Sequence, residues 1–174
     1  MDIETYIVKK ANEFARSNEK RMKITKYIAK YGHLLFVIYG AIYFLLPGRT
    51  QRERRKNCIS ILASICISSI ISFFIGKKFY RNRPFVKDEN IKDITNHKAN
   101  ASFPSNHTMN GAIVLMYLLK EKAPFSKMLV PIWLAMSVSR VFAGIHYISD
   151  LAGGVFIASV VYKIKELIFQ NKRG

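Results

Sequence analysis

The chain has 174 residues, a length that fits one domain and leaves no room for a separate catalytic module. Half of it is hydrophobic, yet 28 Lys and Arg stand against 11 Asp and Glu, for a formal net charge of +17. A soluble nucleic-acid-binding protein is excluded by distribution: the apolar residues gather in uncharged blocks and the basic residues pack between them, as hydrocarbon and headgroups require.

In chain order, Ile3, Ile7, Ala11 and Phe14 recur at helical spacing, while Lys9, Lys10, Glu13 and Arg16 interrupt any apolar core. That pattern is no secretory signal, and it predicts an amphipathic helix over residues 2 to 22 lying on a membrane surface. Residues 1–22 are thus read as an interfacial helix and residues 27–169 as a transmembrane bundle. Tyr31 to Leu46 reads as one span, stopped by Pro47 and Gly48 and extended back through Tyr27 with Lys30 snorkelling to the interface. Residues 57–76 carry no charge between Lys56 and Lys77, and about 20 residues at 1.5 Å each cross roughly 30 Å of hydrocarbon. Cys58 and Cys66, inside that block, suggest neither a disulfide framework nor a metal site.

A polar loop follows over residues 77–106, and then three apolar stretches near 107–119, 128–147 and 150–169. These hold His107, Asn110, Arg140 and Asp150. Ionisable groups at membrane depth cost several kcal/mol unless they face protein or a water-filled cavity, which makes them functional candidates. The predicted fold is therefore an all-α polytopic membrane helix bundle of about five transmembrane helices plus the N-terminal surface helix. Five spans place the 77–106 loop and the 144–150 turn on one side of the membrane.

The chemistry-bearing residues fall in those two places. Lys77 and Arg83-Pro84 lie at the mouth of the second span. Pro104-Ser105-Asn106-His107 opens the third, and a helix start there points free backbone N–H groups outward, where a phosphoryl group is stabilised. His107, in the first turn, is placed to protonate a leaving oxygen. In the last cluster, Ser139-Arg140 precedes His146 and Asp150, which are four apart, so that a helical turn puts both on one face. A carboxylate that accepts the Nδ1 proton leaves Nε2 free as a nucleophile, and Arg140 offers a planar fork matched to phosphate oxygens. The alternatives are a buried histidine satisfied by a neighbouring acid, and a zinc site built from His107, His146 and Asp150. Arg83 and Arg140 would crowd such a cation with positive charge.

The ensemble resembles the type 2 phosphatidic acid phosphatase superfamily. That family's pattern is Lys, six residues, Arg-Pro; then Pro-Ser-Gly-His; then Ser-Arg, five residues, His, three residues, Asp. Here Ser139, Arg140, His146 and Asp150 match throughout, Asn106 replaces the glycine of the second element, and Gly76 stands where the lysine should fall, with Lys77 one residue late. The resemblance covers residues 57 to 162 and is similar above all to bacterial undecaprenyl pyrophosphate phosphatases of the bacitracin-resistance type, through Ala101 to Thr108 and Phe85 after Arg-Pro. It implies His146 as nucleophile, Asp150 orienting it, and His107 protonating the leaving oxygen and then activating water. It further implies Arg83, Arg140, Ser105, the backbone near Asn106 and Lys77 as phosphate-binding groups, with no metal or cofactor.

The substrate implied is a phosphate head on a lipid tail, either undecaprenyl pyrophosphate or, as the runner-up, phosphatidylglycerol phosphate or phosphatidic acid. Short loops holding Arg49, Arg52, Arg54, Arg55, Lys56, Lys120, Lys122 and Lys127, together with the basic C-terminal tail, favour a cytoplasmic position for the non-catalytic side. That places the site on the extracytoplasmic face of a bacterial cell membrane. Two other classes fit the sequence less well. A permease would need an inverted repeat that no span supplies, and a membrane-anchored basic module binding anionic lipid or nucleic acid leaves His107, His146 and Asp150 to chance.

Overall fold

The computed structural model describes residues 1–46 and 50–170, and side chains up to residue 168. The expected stop at Pro47-Gly48 and the basic tail at 171–174 lie outside the described residues. Eight α-helices occur among the described residues: α1 (Ile3–Arg16), α2 (Glu19–Tyr31), α3 (His33–Leu45), α4 (Gln51–Lys78), the single turn α5 (Pro84–Lys87), α6 (Asn106–Lys120), α7 (Leu129–Phe142) and α8 (Ile148–Gln170). The all-α architecture has the order the hydropathy pattern predicts. Among the described residues two helical stretches, Glu19–Leu45 and Gln51–Lys78, are long and apolar enough to cross a membrane by themselves.

Helix α6 is the axis of the bundle and packs against α8, α4 and α7. Its Met109, Ile113 and Leu118 are fully buried, in a core completed by Phe36 and Tyr43 of α3, Met136 of α7 and Ala158 of α8. Helix α4 meets that core along Ser64, Ser68, Ser72 and Gly76, every fourth residue and all buried. Small side chains at that spacing let helix backbones approach closely where lipid tails give no hydrophobic drive. Ser64 shares its hydroxyl with Tyr117 of α6 at 2.8 Å. The outward-facing residues of the same helix, among them Ile59, Leu62, Ile70, Phe73 and Phe74, are exposed, as a lipid-facing surface requires.

Three boundaries differ from the sequence reading. The single N-terminal helix expected over 2–22 is two helices, because Asn18 adopts an extended conformation and its side chain accepts from the N–H groups of Lys20 and Arg21, starting α2. Helix α1 buries Thr5, Val8, Asn12 and Ala15 against the protein, while Ile3, Ile7 and Phe14 remain exposed. Asn12 pins it, donating to the carbonyls of Lys92 and Phe142 and accepting from the N–H of Lys92. The fourth apolar stretch, expected to 147, ends as helix α7 at Phe142, since Gly144 has φ +76 and turns the chain. A Cβ at Gly144 would also sit 2.8 Å from the Ile91 side chain. The polar loop consequently spans 79–105, with α4 running on through Lys78.

Candidate active site

The chain ends that the topology brings together are the C-terminus of α4, the start of α6 and the α7–α8 turn. They enclose a cavity of about 380 Å³ lined by Lys77, Arg83, Asn106, His107, Arg140 and His146, among others. Of the eight predicted site residues these six share one wall. Asp150 and Ser105 are fully buried behind it. Among the described residues, no group of three His, Cys, Asp or Glu side chains gathers as a metal-ligand set.

His146 lies in the α7–α8 turn, just before α8, rather than on a helical face shared with Asp150. The pairing nevertheless forms, because Asp150 folds back over the first turn: its Oδ2 accepts from the Tyr147 N–H at 2.8 Å and lies 3.3 Å from His146 Nδ1. On the other side of the ring, Arg83 Nη1 approaches His146 Nε2 at 3.2 Å. A guanidinium has no acceptor, so Nε2 must be the lone-pair nitrogen and Nδ1 the protonated one, donating to Asp150. This tautomer points a nucleophilic nitrogen into the cavity.

Arg83 is 4% exposed, and each of its five N–H groups has a partner. Nη1 donates to the carbonyl of Ile145 and faces His146, Nε and Nη2 both donate to Asn100 Oδ1, and Nη2 also donates to the carbonyl of Ala101. Burial pulls its guanidinium below the ordinary arginine value, with Asp150 opposing. Arg140, equally buried, spends Nη1 on the carbonyl of Ala29 in α2, while its Nε has no partner among the described residues. The carbonyl contacts aim both guanidinium groups, a pre-organised arrangement for an anion.

Ser105 occupies the N-cap position of α6, but its hydroxyl pairs with that of Thr108 at 3.1 Å and makes no cap hydrogen bond. Its N–H donates to the Asp150 carbonyl at 3.0 Å, so the start of α6 is tied to α8. The peptide bond Phe103–Pro104 is cis. Gly154 permits this approach: a Cβ there would stand 2.9 Å from the Ser105 carbonyl oxygen and 3.3 Å from the Met109 nitrogen. Because backbone atoms cannot step aside, Gly154→Ala is expected to cost about 1–3 kcal/mol and to slow turnover by displacing Asn106 and His107. Thermal unfolding in detergent, alongside an activity assay, measures both effects.

Gly76, where the family lysine would fall, is buried and lines the cavity, its Cβ position in ordinary contact with Ala101 and the Phe103 carbonyl oxygen at 3.4 Å. Lys77, the next residue, is exposed and lines the cavity.

Several site-building residues were not picked out from the sequence: Asn100, which holds Arg83; His97, a wall residue; Arg81, which reaches Asp150; and Glu4 with Ser149, which hold Arg81. Burial opposes the charge on Glu4, but hydrogen bonds from Arg81 and Ser149 outweigh it and hold the carboxyl below its usual range. No short motif contains these residues, so no sequence signal marked them.

A second, apolar cavity of about 720 Å³ lies between α3, α4 and α6. Asn106 and His107 line both cavities, and His33 of α3 stands edge-on to His107, with ring centroids 5.0 Å apart.

The family model described as PAP2 superfamily matches residues 57–173. The putative undecaprenyl-diphosphatase YbjG of Escherichia coli is 30% identical over 132 residues, covering 75% of this chain and 65% of that protein. The chain thus spans just under two thirds of that relative's length. The undecaprenyl-diphosphatase BcrC of Bacillus subtilis is 29% identical over 139 residues, covering 79% of this chain and 67% of that protein. The crystal structure of a transmembrane PAP2-type phosphatidylglycerolphosphate phosphatase from Bacillus subtilis superposes with a TM-score of 0.68 at 21% identity, covering 97% of this chain and 85% of that one. At that identity the likeness speaks for the fold.

Proposed function

This chain belongs to the PAP2 superfamily, and from that premise we propose that it is an integral membrane lipid phosphatase that hydrolyses undecaprenyl pyrophosphate to undecaprenyl phosphate through a phosphohistidine intermediate. The observation that carries the reading is the meeting of two unlike cavities at His107. One is cationic and suited to a phosphate head, the other apolar and suited to a hydrocarbon chain, so the bond to be broken falls at their junction. The names of two relatives, YbjG and BcrC, support the substrate.

In the proposed reaction the terminal phosphoryl group enters the 380 Å³ cavity and takes over the Arg83 Nη1 donor now facing His146. His146 Nε2 attacks phosphorus in line, while Asp150 stabilises the charge that develops on the ring. The bond to the bridging oxygen breaks, and His107 gives that oxygen its proton, releasing the lipid monophosphate. His107 then takes a proton from water, whose oxygen attacks the phosphohistidine, and inorganic phosphate leaves as His146 is regenerated. Arg83, Arg140, Lys77 and the N–H groups at the start of α6 neutralise the equatorial oxygens, the task that magnesium performs in many phosphoryl-transfer enzymes. Ser105 acts by fixing that helix start. In this account the stretches 19–45 and 51–78 and helices α6, α7 and α8 form five crossings, α1 lies on the catalytic face with Ile3, Ile7 and Phe14 toward lipid, and that face is extracytoplasmic. The product is the carrier lipid made available again for cell-wall synthesis, and removal of the pyrophosphate form confers bacitracin resistance.

A second substrate, phosphatidylglycerol phosphate, is favoured by the name of another relative, phosphatidylglycerophosphatase B of Bacillus subtilis, 32% identical over 77 residues and 38% of this chain. A panel separates the two readings: purified full-length protein in detergent, EDTA present, phosphate release measured from undecaprenyl pyrophosphate, phosphatidylglycerol phosphate and phosphatidic acid. The expected result is a kcat/KM at least about tenfold higher for the pyrophosphate, unaffected by EDTA. A faster phosphatidylglycerol phosphate reaction establishes the second reading, and release from none of them overturns both. Within the same assay, Lys77→Ala is expected to raise KM by about three- to tenfold, the scale of one charged contact partly open to solvent. Lys78→Ala, whose side chain is absent from the cavity wall, leaves KM unchanged.

A further inference from the structure

The cationic residue nearest the catalytic carboxylate in the structure is not part of the motif pattern. Arg81 Nη1 donates to Asp150 Oδ1 at 2.7 Å and to Ser149 Oγ at 2.6 Å, and Nη2 donates to Glu4 Oε2 at 2.7 Å. Its guanidinium carbon lies 3.9 Å from the centroid of the Tyr147 ring. Glu4, from the first turn of α1, also accepts from the Ser149 N–H at 2.8 Å and from the Ser149 hydroxyl at 2.9 Å. Arg81 does not line the phosphate cavity.

We propose that Arg81, clamped by Glu4 of α1, is a positioning residue that fixes the carboxylate of Asp150 and through it the ring of His146. A carboxylate with one oxygen bound is free to turn about its last torsion. Here Tyr147 N–H and His146 Nδ1 occupy Oδ2, and Arg81 occupies Oδ1, so the turn is blocked. Orientation of the imidazole depends on that constraint, since Oδ2 stands 3.3 Å from Nδ1 and a small rotation would break the contact. Glu4 completes the clamp by holding the second arm of the guanidinium. The N-terminal helix is by this route a component of the catalytic apparatus, 69 residues from Arg81 to Asp150 and 77 from Glu4 to Arg81 along the chain. The proposal rests on the reading of His146 as the nucleophile.

The test uses purified full-length protein in detergent, with undecaprenyl pyrophosphate as substrate and inorganic phosphate as competitive inhibitor. Arg81→Gln is expected to lower kcat by about 10–100-fold, the usual scale for losing a partner that orients a reacting group. KM and the inhibition constant for phosphate stay within about twofold, since Arg81 touches no part of the phosphate site. Arg81→Lys recovers part of the loss, because an ammonium satisfies one carboxylate and not two. Glu4→Gln lowers kcat less than Arg81→Gln does. In an Asp150→Asn background, Arg81→Gln has less than about a threefold further effect, as two changes acting through one group are not additive. A kcat loss of equal factor in both backgrounds, a rise in KM at unchanged kcat, or no change at all overturns the proposal. Should Arg81→Gln fail to fold, Glu4→Gln and Arg81→Lys in the two backgrounds decide by the same additivity criterion. Wild-type turnover in His146→Ala removes the parent reading instead, and so the two failures are told apart.

Discussion

Phosphate release from undecaprenyl pyrophosphate is expected to fall by roughly 10⁵-fold or more in His146→Ala, the scale seen when a covalent nucleophile is removed from its constellation. The ring is 3% exposed and lies between one cation and one anion, Arg83 on Nε2 and Asp150 on Nδ1. Those partners dictate the tautomer, and the tautomer dictates that the lone pair faces the cavity. Removing the ring leaves Asp150 and Arg83 facing a void, so alanine also costs stability, about 1–3 kcal/mol for polar groups left unsatisfied. His146→Gln restores part of that contact without a nucleophilic nitrogen. Both variants should therefore be inactive, with glutamine the more stable by thermal unfolding. Turnover near the wild-type rate in either one contradicts the mechanism.

The second large effect is expected at Arg83. Arg83→Ala removes the proposed phosphate clamp and releases Asn100 and the Ile145 and Ala101 carbonyls from the groups that organise them. Loss of one pre-organised donor at a site of developing negative charge costs about 10²–10³-fold, and loss of a transition-state arginine about 10³–10⁵-fold. The expectation is a fall in kcat/KM of about 10³–10⁴-fold, measured by the same phosphate-release assay. Arg83→Lys recovers little, because an ammonium has three donors where this position uses five on fixed bearings. A lysine variant within about tenfold of wild type would mean that only charge matters there. Asn100→Ala, which keeps the guanidinium but frees two of its five N–H groups, is expected to lose less than either arginine variant.

The parts of this site that were legible in sequence are those written locally. His146 and Asp150 are four residues apart, and that spacing survives the error in the secondary structure around it: the pair forms across a turn, not along a helix, because Gly144 ends α7 early. The order of apolar blocks gave the helix order, since hydrocarbon permits few alternatives to a helix. What could not be read were partners joined only by tertiary structure. Arg81 reaches a carboxylate 69 residues away and Asn100 reaches Arg83 across 17, and neither belongs to a periodic pattern. The role of α1 was hidden for the same reason. Its stripe of Ile3, Ile7 and Phe14 announced a membrane surface, whereas no pattern in the sequence singled out Asn12 and Glu4, whose partners lie on the protein side. In the sequence Gly76 stands where the family lysine should fall, with Lys77 one residue late. Gly76 and Lys77 both line the cavity, so the cation one residue later still borders it.

The central claim is that a phosphoryl group passes through His146. The most direct measurement mixes the protein with undecaprenyl pyrophosphate labelled in its terminal phosphate, quenches within one turnover at alkaline pH, and locates the label by peptide mass spectrometry. The account predicts a base-stable, acid-labile phosphoryl group on the peptide containing His146, absent in His146→Gln. Label on any other residue, or full turnover by His146→Gln with no labelled peptide, would contradict it.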